Sequence, residues 1–282
     1  MSLEGKVVLI TGAGRGIGAG IAHCYAARNA KVVVTDLVQD LVEETAASLP
    51  TEALGLVADA ASQEAMGKVI DTVEEKLGKL DILVNNAGIG GPELDSFLEM
   101  DLEPTDDSAP APTSAFLSTT DEMWEQAIRY NLSTTFSSST AAMPRMNDGG
   151  SIINISSIAA LGAAAQSPGY GAAKAAVIHL TKSLAQELAP RKIRVNCICP
   201  GLLWTRAWEL LASQIKMTQK EMANMTNRQV FEGVVAQMTP LGEEQTPEDI
   251  GRLAVFFSSE EARMITGQVV AVDGGITLNG GM

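Results

Sequence analysis

The chain has 282 residues, 46% hydrophobic and 19% charged, a balance suited to a large buried core. Its formal charge of -14 repels phosphate backbones and argues against nucleic acid as a partner. It says nothing against a bound nucleotide, which local backbone dipoles hold.

No apolar run reaches the roughly 18 residues of a membrane span. The opening Met-Ser-Leu-Glu-Gly-Lys lacks the basic and apolar regions of a signal peptide. The expectation is a cytoplasmic protein with no membrane partner. Cys24, Cys197 and Cys199 form an odd, sparse set that suits a reducing compartment. Neither histidine, His23 or His179, lies at ligand spacing from the Cys197/Cys199 pair. Buried structural thiols are therefore expected, and no metal.

Val7–Thr11 is a short continuous apolar run, as in a strand covered on both faces. Gly12-Ala-Gly-Arg-Gly-Ile-Gly18 follows and opens a helical segment reaching about Asn29. Strand, glycine turn and helix start together make an anion site, because glycines admit a pyrophosphate to backbone N–H groups at the positive end of the helix dipole. The spacing is Gly12-x-x-x-Gly16-x-Gly18, with Ile17 where the commoner pattern has glycine. Lys31–Asp36 is the second strand. An acid at its end accepts hydrogen bonds from a ribose 2′-hydroxyl and repels a 2′-phosphate, which favours NAD over NADP; the same residue would also suit a helix N-cap. Arg15 in the glycine turn is placed to contact a 2′-phosphate and points the other way.

Leu54–Asp59 reads as a third strand whose terminal acid borders an adenine site. Ser62 caps a helix with Met66, Val69, Ile70, Val73 and Leu77 on one face and Gly78 at its end. Asp81–Val84 is the fourth strand and runs into the small polar turn Asn85-Asn-Ala-Gly88. The alternation of strands and helices predicts right-handed βαβ units and a parallel sheet.

From 90 to 120 the rhythm breaks. Seven acids and four prolines occur with no Lys or Arg, and Leu94, Phe97 and Leu98 suit one amphipathic turn. Three readings stand: a flap over a pocket, an added subunit contact, or a solvated surface insertion. Asp121 is expected to cap the next helix, with Trp124, Ile128, Leu132 and Phe136 on its apolar face and Asn131 within it.

Ser151–Ser157 reads as a buried strand leading to a helix that opens near Pro168 and carries Tyr170 and Lys174 one turn apart. Residues four apart share a helical face. A neighbouring ammonium lowers the pKa of a phenol, so Tyr170 is expected to exchange a proton with a substrate oxygen near neutral pH while a serine from the strand end holds that oxygen. This is machinery for interconverting an alcohol and a ketone. Ile193–Ile198 is the sixth strand, stopped by Pro200-Gly201. Residues 202–237 are rich in Trp, Met and Leu and predict one or two helices forming an apolar lid. Thr246-Pro-Glu-Asp249 is a helix start, and Gln268–Val272 is a last strand.

The ordered set Thr11–Gly18, Asn85–Gly88, Asn131, Ser157, Tyr170-x-x-x-Lys174, Pro200-Gly201 and Thr205 resembles the short-chain dehydrogenase/reductase family over essentially the whole chain. Three residues between Tyr170 and Lys174 are similar to its dehydrogenases and carbonyl reductases; its enoyl reductases use a wider gap. The resemblance implies an α/β fold, a Rossmann-type doubly wound parallel sheet of order 3-2-1-4-5-6-7 with helices on both faces. It implies one catalytic domain over 1–282, no metal, and homodimers or homotetramers built on two long helices. It implies Tyr170 as general acid/base, Lys174 as its partner and a nicotinamide-ribose ligand, Ser157 as the group orienting the substrate oxygen, and Asn131 as the holder of a relay water. Gly12, Arg15, Gly16, Ile17 and Gly18 would meet the pyrophosphate and ribose, Asp36 the adenosine ribose, and Asp59 with Ala60 the adenine. Asn86, Ala87 and Gly88 would meet the neighbouring ribose, and Pro200, Gly201, Leu203 and Thr205 the carboxamide end. The insertion at 90–120 is longer than the family's usual link.

The expectation is thus an NAD-dependent oxidoreductase for a secondary alcohol or ketone, with the apolar lid pointing to a bulky lipophilic small-molecule substrate such as a steroid, terpenoid or aromatic alcohol. A 3-oxoacyl-thioester reductase using NADPH is the alternative. A non-catalytic dinucleotide sensor is a remoter one, since such members typically lose the serine, tyrosine or lysine.

Overall fold

A computed structural model describes residues 2–88, 115–164 and 167–279. The expected flap or subunit contact, with its Leu94/Phe97/Leu98 turn, lies outside the described residues, apart from one helical turn at Ala115–Ser118. Seven parallel strands form one sheet of order β3-β2-β1-β4-β5-β6-β7. They are β1 Val7–Thr11, β2 Lys31–Asp36, β3 Ala53–Val57, β4 Leu80–Asn85, β5 Met146–Ile155, β6 Arg194–Pro200 and β7 Val269–Val272. β3 ends two residues earlier than expected, so Asp59 stands in the loop beyond it.

The helices are α1 Gly16–Ala26, α2 Gln39–Ser48, α3 Gln63–Leu77, α4 Asp121–Ile128, α5 Thr134–Ala142, α6 Pro168–Leu188, α7 Arg206–Thr218, α8 Asn227–Met238 and α9 Pro247–Ser258. No helix among the described residues is long and apolar enough to cross a membrane.

The sheet is apolar on both faces because alternate residues of a strand point opposite ways. Val8 and Ile10 of β1 join a core with Ile21 and Tyr25 of α1 and Ile250 and Phe257 of α9. Val7 and Leu9 join the opposite core with Met66 and Ile70 of α3 and Leu184 and Leu188 of α6. β1 and β4 are neighbours although not consecutive, so the chain departs from them toward opposite edges. A crevice opens beyond the carboxyl ends of strands at such a point, and it is the usual ligand site of open α/β sheets.

Two expectations at α4 are corrected. Thr120, not Asp121, is the cap, its side chain accepting the Met123 N–H at 3.2 Å. The stripe Trp124–Ile128–Leu132–Phe136 does not face the core: Trp124 is 43% and Phe136 49% exposed. The inward face of this segment is polar instead, with Asn131, Thr134, Thr135 and Ser137–Ser139 buried. Thr134, Ser137 and Ser138 donate to the loop carbonyls of Ala87, Ala61 and Ala60, and satisfying those carbonyls outweighs the apolar pattern.

Candidate active site

The glycine turn and the turn after β4 are stitched together at the switch point. Thr11 Oγ1 accepts the Asn86 and Ala87 N–H groups at 3.2 and 3.1 Å, and Asn86 Nδ2 donates to the Thr11 and Gly12 carbonyls at 3.0 and 2.8 Å. Gly12 has φ +61°, and a Cβ there would lie 2.7 Å from the Ala87 Cα, so only glycine meets both demands. A Cβ on Gly18 would lie 2.4 Å from the Gly12 carbonyl oxygen, which seats α1 against the turn. Gly16, with φ +59°, instead faces space: its nearest neighbour would be Thr205 Cγ2 at 4.0 Å. Arg15 at the N-cap makes no capping hydrogen bond, leaving the α1 N-terminus to a ligand. An open anion cradle of this kind fits a pyrophosphate.

The cradle is one part of a cleft of about 670 Å³. Of the expected cofactor residues, Gly12, Arg15, Gly16, Ile17, Asp36, Asp59, Ala60, Asn86, Ala87, Gly88, Pro200, Gly201, Leu203 and Thr205 line it, as do Ser157, Tyr170 and Lys174. Gly18 and Asn131 do not; Gly18 is used in packing, and Asn131 stands behind the wall. Asp36 is only partly free for a ribose, since its carboxylate accepts the Gly14 N–H at 3.1 Å and the Leu37 N–H at 2.8 Å. The Asn86 side chain is likewise taken up by the turn.

At the other end, β5 delivers Ser156 and Ser157. The Ser156 N–H donates to the Ile198 carbonyl at 2.8 Å, and its hydroxyl donates to the Lys174 carbonyl at 2.8 Å, tying strand end to α6. Ser157 accepts the Ala159 N–H at 3.2 Å and hydrogen-bonds the Tyr170 phenol. Lys174 is buried; its Nζ donates to the Ile155 carbonyl at 3.2 Å and lies 5.8 Å from the Tyr170 ring centroid.

The expected lowering of the Tyr170 pKa is not what this arrangement gives. Burial pushes the phenol up to about 12, with the Ser157 hydrogen bond opposing part of the rise. Burial also brings the Lys174 ammonium down to about 8. Desolvation disfavours the charged form of each and is the largest cause of both shifts.

Asn131 lies in a π-helical turn, Arg129–Ser133, between α4 and α5. Such turns bulge one residue out of register and recur at functional sites. Asn131 Nδ2 donates to the Ala127 carbonyl at 3.1 Å. A Cβ on Gly88 would lie 2.9 Å from Lys174 Nζ and 3.1 Å from Asn131 Oδ1, so Gly88 is the spacer these two groups flank.

Beyond Ser157 the cleft is lined by Ile158, Trp204, Trp208 and Leu211, together with the Arg206–Glu209 ion pair. Phe231 of α8 backs both tryptophans, with ring centroids 5.2 and 5.1 Å away. Tyr130, Thr134 and Ile158 also line the cleft and carry no sequence signal of their own. Tyr130 arrives through the π-turn and Ile158 through its position after Ser157. Cys197 and Cys199 are buried in the adjoining apolar cluster. Among the described residues, no group of three or more His, Cys, Asp or Glu is placed to hold a metal.

A family model described as Enoyl-(Acyl carrier protein) reductase matches residues 12–277. The chain is 32% identical over 284 residues to the 3-oxoacyl-[acyl-carrier-protein] reductase FabG of Thermotoga maritima, covering 99% of this chain and 100% of the other. It is 32% identical over 283 residues to the 7alpha-hydroxysteroid dehydrogenase of Bacteroides fragilis, covering 98% and 96%. The crystal structure of the short-chain dehydrogenase/reductase SDR:Glucose/ribitol dehydrogenase from Brucella melitensis superposes with a TM-score of 0.76 at 28% identity, covering 98% of this chain and 99% of that one. The chain belongs to the short-chain dehydrogenase/reductase family and is an oxidoreductase acting on CH–OH groups with a nicotinamide dinucleotide.

Proposed function

We propose that this enzyme uses NAD(H) to interconvert a bulky, lipophilic secondary alcohol and its ketone, as one catalytic domain working in homodimers or homotetramers. The observation that carries the reaction is the convergence of Ser157, Tyr170 and Lys174 on one cleft with an open anion cradle. The bound cofactor supplies the hydride acceptor or donor at its nicotinamide C4.

The protein's own residues handle the proton. In alcohol oxidation the substrate hydroxyl gives its proton to the Tyr170 oxygen as the carbinol hydrogen leaves with its electron pair; reduction runs the reverse. Ser157 donates a hydrogen bond to the same substrate oxygen. Lys174 favours the phenolate as it forms, and Asn131, behind Gly88, holds the path by which protons leave. Asp36 supports NAD, because a carboxylate at the end of β2 repels a 2′-phosphate. The Trp204/Trp208 wall supports an apolar substrate.

The second reading, NADPH-dependent reduction of a 3-oxoacyl thioester, draws support from the FabG relative. Initial rates with NADH and NADPH against a lipophilic ketone and a 3-oxoacyl thioester separate the two. Faster turnover of the thioester with NADPH would replace the first reading by the second.

A further inference from the structure

We propose that Arg129 is a positioning residue for the adenine half of the cofactor, acting through Asp59. This rests on the dinucleotide reading above, but not on the choice between NAD and NADP.

Asp59 lines the cleft in the loop after β3. One carboxylate oxygen accepts the Ala61 N–H at 2.8 Å, and the other accepts from Arg129 Nη2 at 2.6 Å. The same composite helix grips this loop twice more: Ser138 donates to the Ala60 carbonyl at 3.2 Å and Ser137 to the Ala61 carbonyl at 3.0 Å. The serines hold backbone; Arg129 holds the side chain. With each oxygen engaged once, the carboxylate is fixed in one orientation and keeps acceptor capacity for a further donor. A base carrying an exocyclic amine, such as adenine, presents that donor.

The pair sits at the rim, with the Arg129 side chain 55% and that of Asp59 34% exposed. Ion pairs at that exposure add little to folding. Its effect belongs instead to pre-organisation: a carboxylate already aimed loses less freedom when ligand binds.

A merely structural role is the competing account, because Arg129 also opens the π-turn that carries Asn131. Fluorescence titration separates the two. Wild type, Arg129→Met and Arg129→Lys are titrated with whichever of NADH or NADPH the wild type binds more tightly. AMP, which contains only the adenosine half, is then used to displace it. Arg129→Met is expected to weaken dinucleotide and AMP by the same factor, about threefold to tenfold, the size of one ordinary net hydrogen bond, and Arg129→Lys to recover part of it. Unchanged dinucleotide affinity in Arg129→Met overturns the proposal. So does a weakened dinucleotide with unchanged AMP, which would place the effect at the π-turn. A wild type that binds neither dinucleotide overturns the underlying reading instead.

Discussion

The Lys174 ammonium lies 5.8 Å from the centroid of the Tyr170 ring and donates to the Ile155 carbonyl, which holds it out of water at the end of β5 beside the half-buried phenol. Burial sets their resting state: a phenol pushed up to about 12 and an ammonium brought down to about 8. The ligand-free enzyme therefore holds Tyr170 protonated at neutral pH, ready to donate to a ketone. Alcohol oxidation needs the opposite form. Its rate is expected to climb with pH from 7 toward 10, while ketone reduction declines as Lys174 loses its proton above about 8. Initial rates in both directions across that range check this; parallel profiles would contradict it.

Lys174 also has a stability consequence with a definite sign. Its folded pKa is about 8 against 10.5 for a free lysine, so folding must strip a proton or bury a charge. The penalty is full below pH 8, on the order of 3 kcal/mol, and fades as pH rises to about 10.5. Lys174→Met should abolish turnover and yet raise the melting temperature at pH 7. That gain should shrink from about pH 8 upward and be nearly gone by about 10.5. A lower melting temperature at pH 7 would show that the Ile155 hydrogen bond outweighs the desolvation.

Tyr170→Phe removes the proton donor and little else. A loss in kcat of about 10²–10⁴-fold is expected, the range for a positioned general acid or base. Dinucleotide affinity, followed by nicotinamide fluorescence, should stay within about twofold of wild type, a change well under 1 kcal/mol.

Asp36 has two tasks, and substitutions separate them. Asp36→Asn keeps acceptor geometry for the Gly14 N–H but removes the charge. It should raise the kcat/KM ratio of NADPH to NADH by roughly tenfold or more, the size of one charge contact near 1.4 kcal/mol. Asp36→Ala should weaken both cofactors, because the glycine turn loses its tie. An unchanged cofactor ratio in Asp36→Asn would remove Asp36 from the selection.

Gly12→Ala places a side chain at φ +61° and 2.7 Å from the Ala87 Cα. Strain of that kind costs on the order of 1–3 kcal/mol. The expected outcome is a lower melting temperature together with weaker dinucleotide binding, because the two turns that form the cradle must separate.

Much of this molecule can be read in its residues, for physical reasons that also mark where reading stops. The limits of β1 and β2 follow from continuous apolar runs that end at Thr11 and Asp36. The strand order implied by the family resemblance is the order observed. The Ser62 cap and the buried face Met66–Val69–Ile70–Val73–Leu77 follow from helical periodicity alone. α2 has no such signature, since only Val42 and Thr45 of its ten residues are buried. The π-turn is invisible in Arg-Tyr-Asn-Leu-Ser because tertiary packing creates it. The Tyr170–Lys174 spacing was legible, but the sign of the phenol's shift was not. Spacing places a cation near a phenol, whereas burial, which decides the sign, exists only in the folded chain.

The most direct measurement is nicotinamide absorbance during incubation of the wild-type enzyme with a panel of secondary alcohols, from polyols to steroids, with NAD⁺ and NADP⁺ in parallel. Reduction of NAD⁺ by lipophilic alcohols is expected, with slower reduction of NADP⁺ and none by small polyols. Reduction of NADP⁺ in preference, or equal turnover of polyols with no rate for lipophilic alcohols, would contradict it.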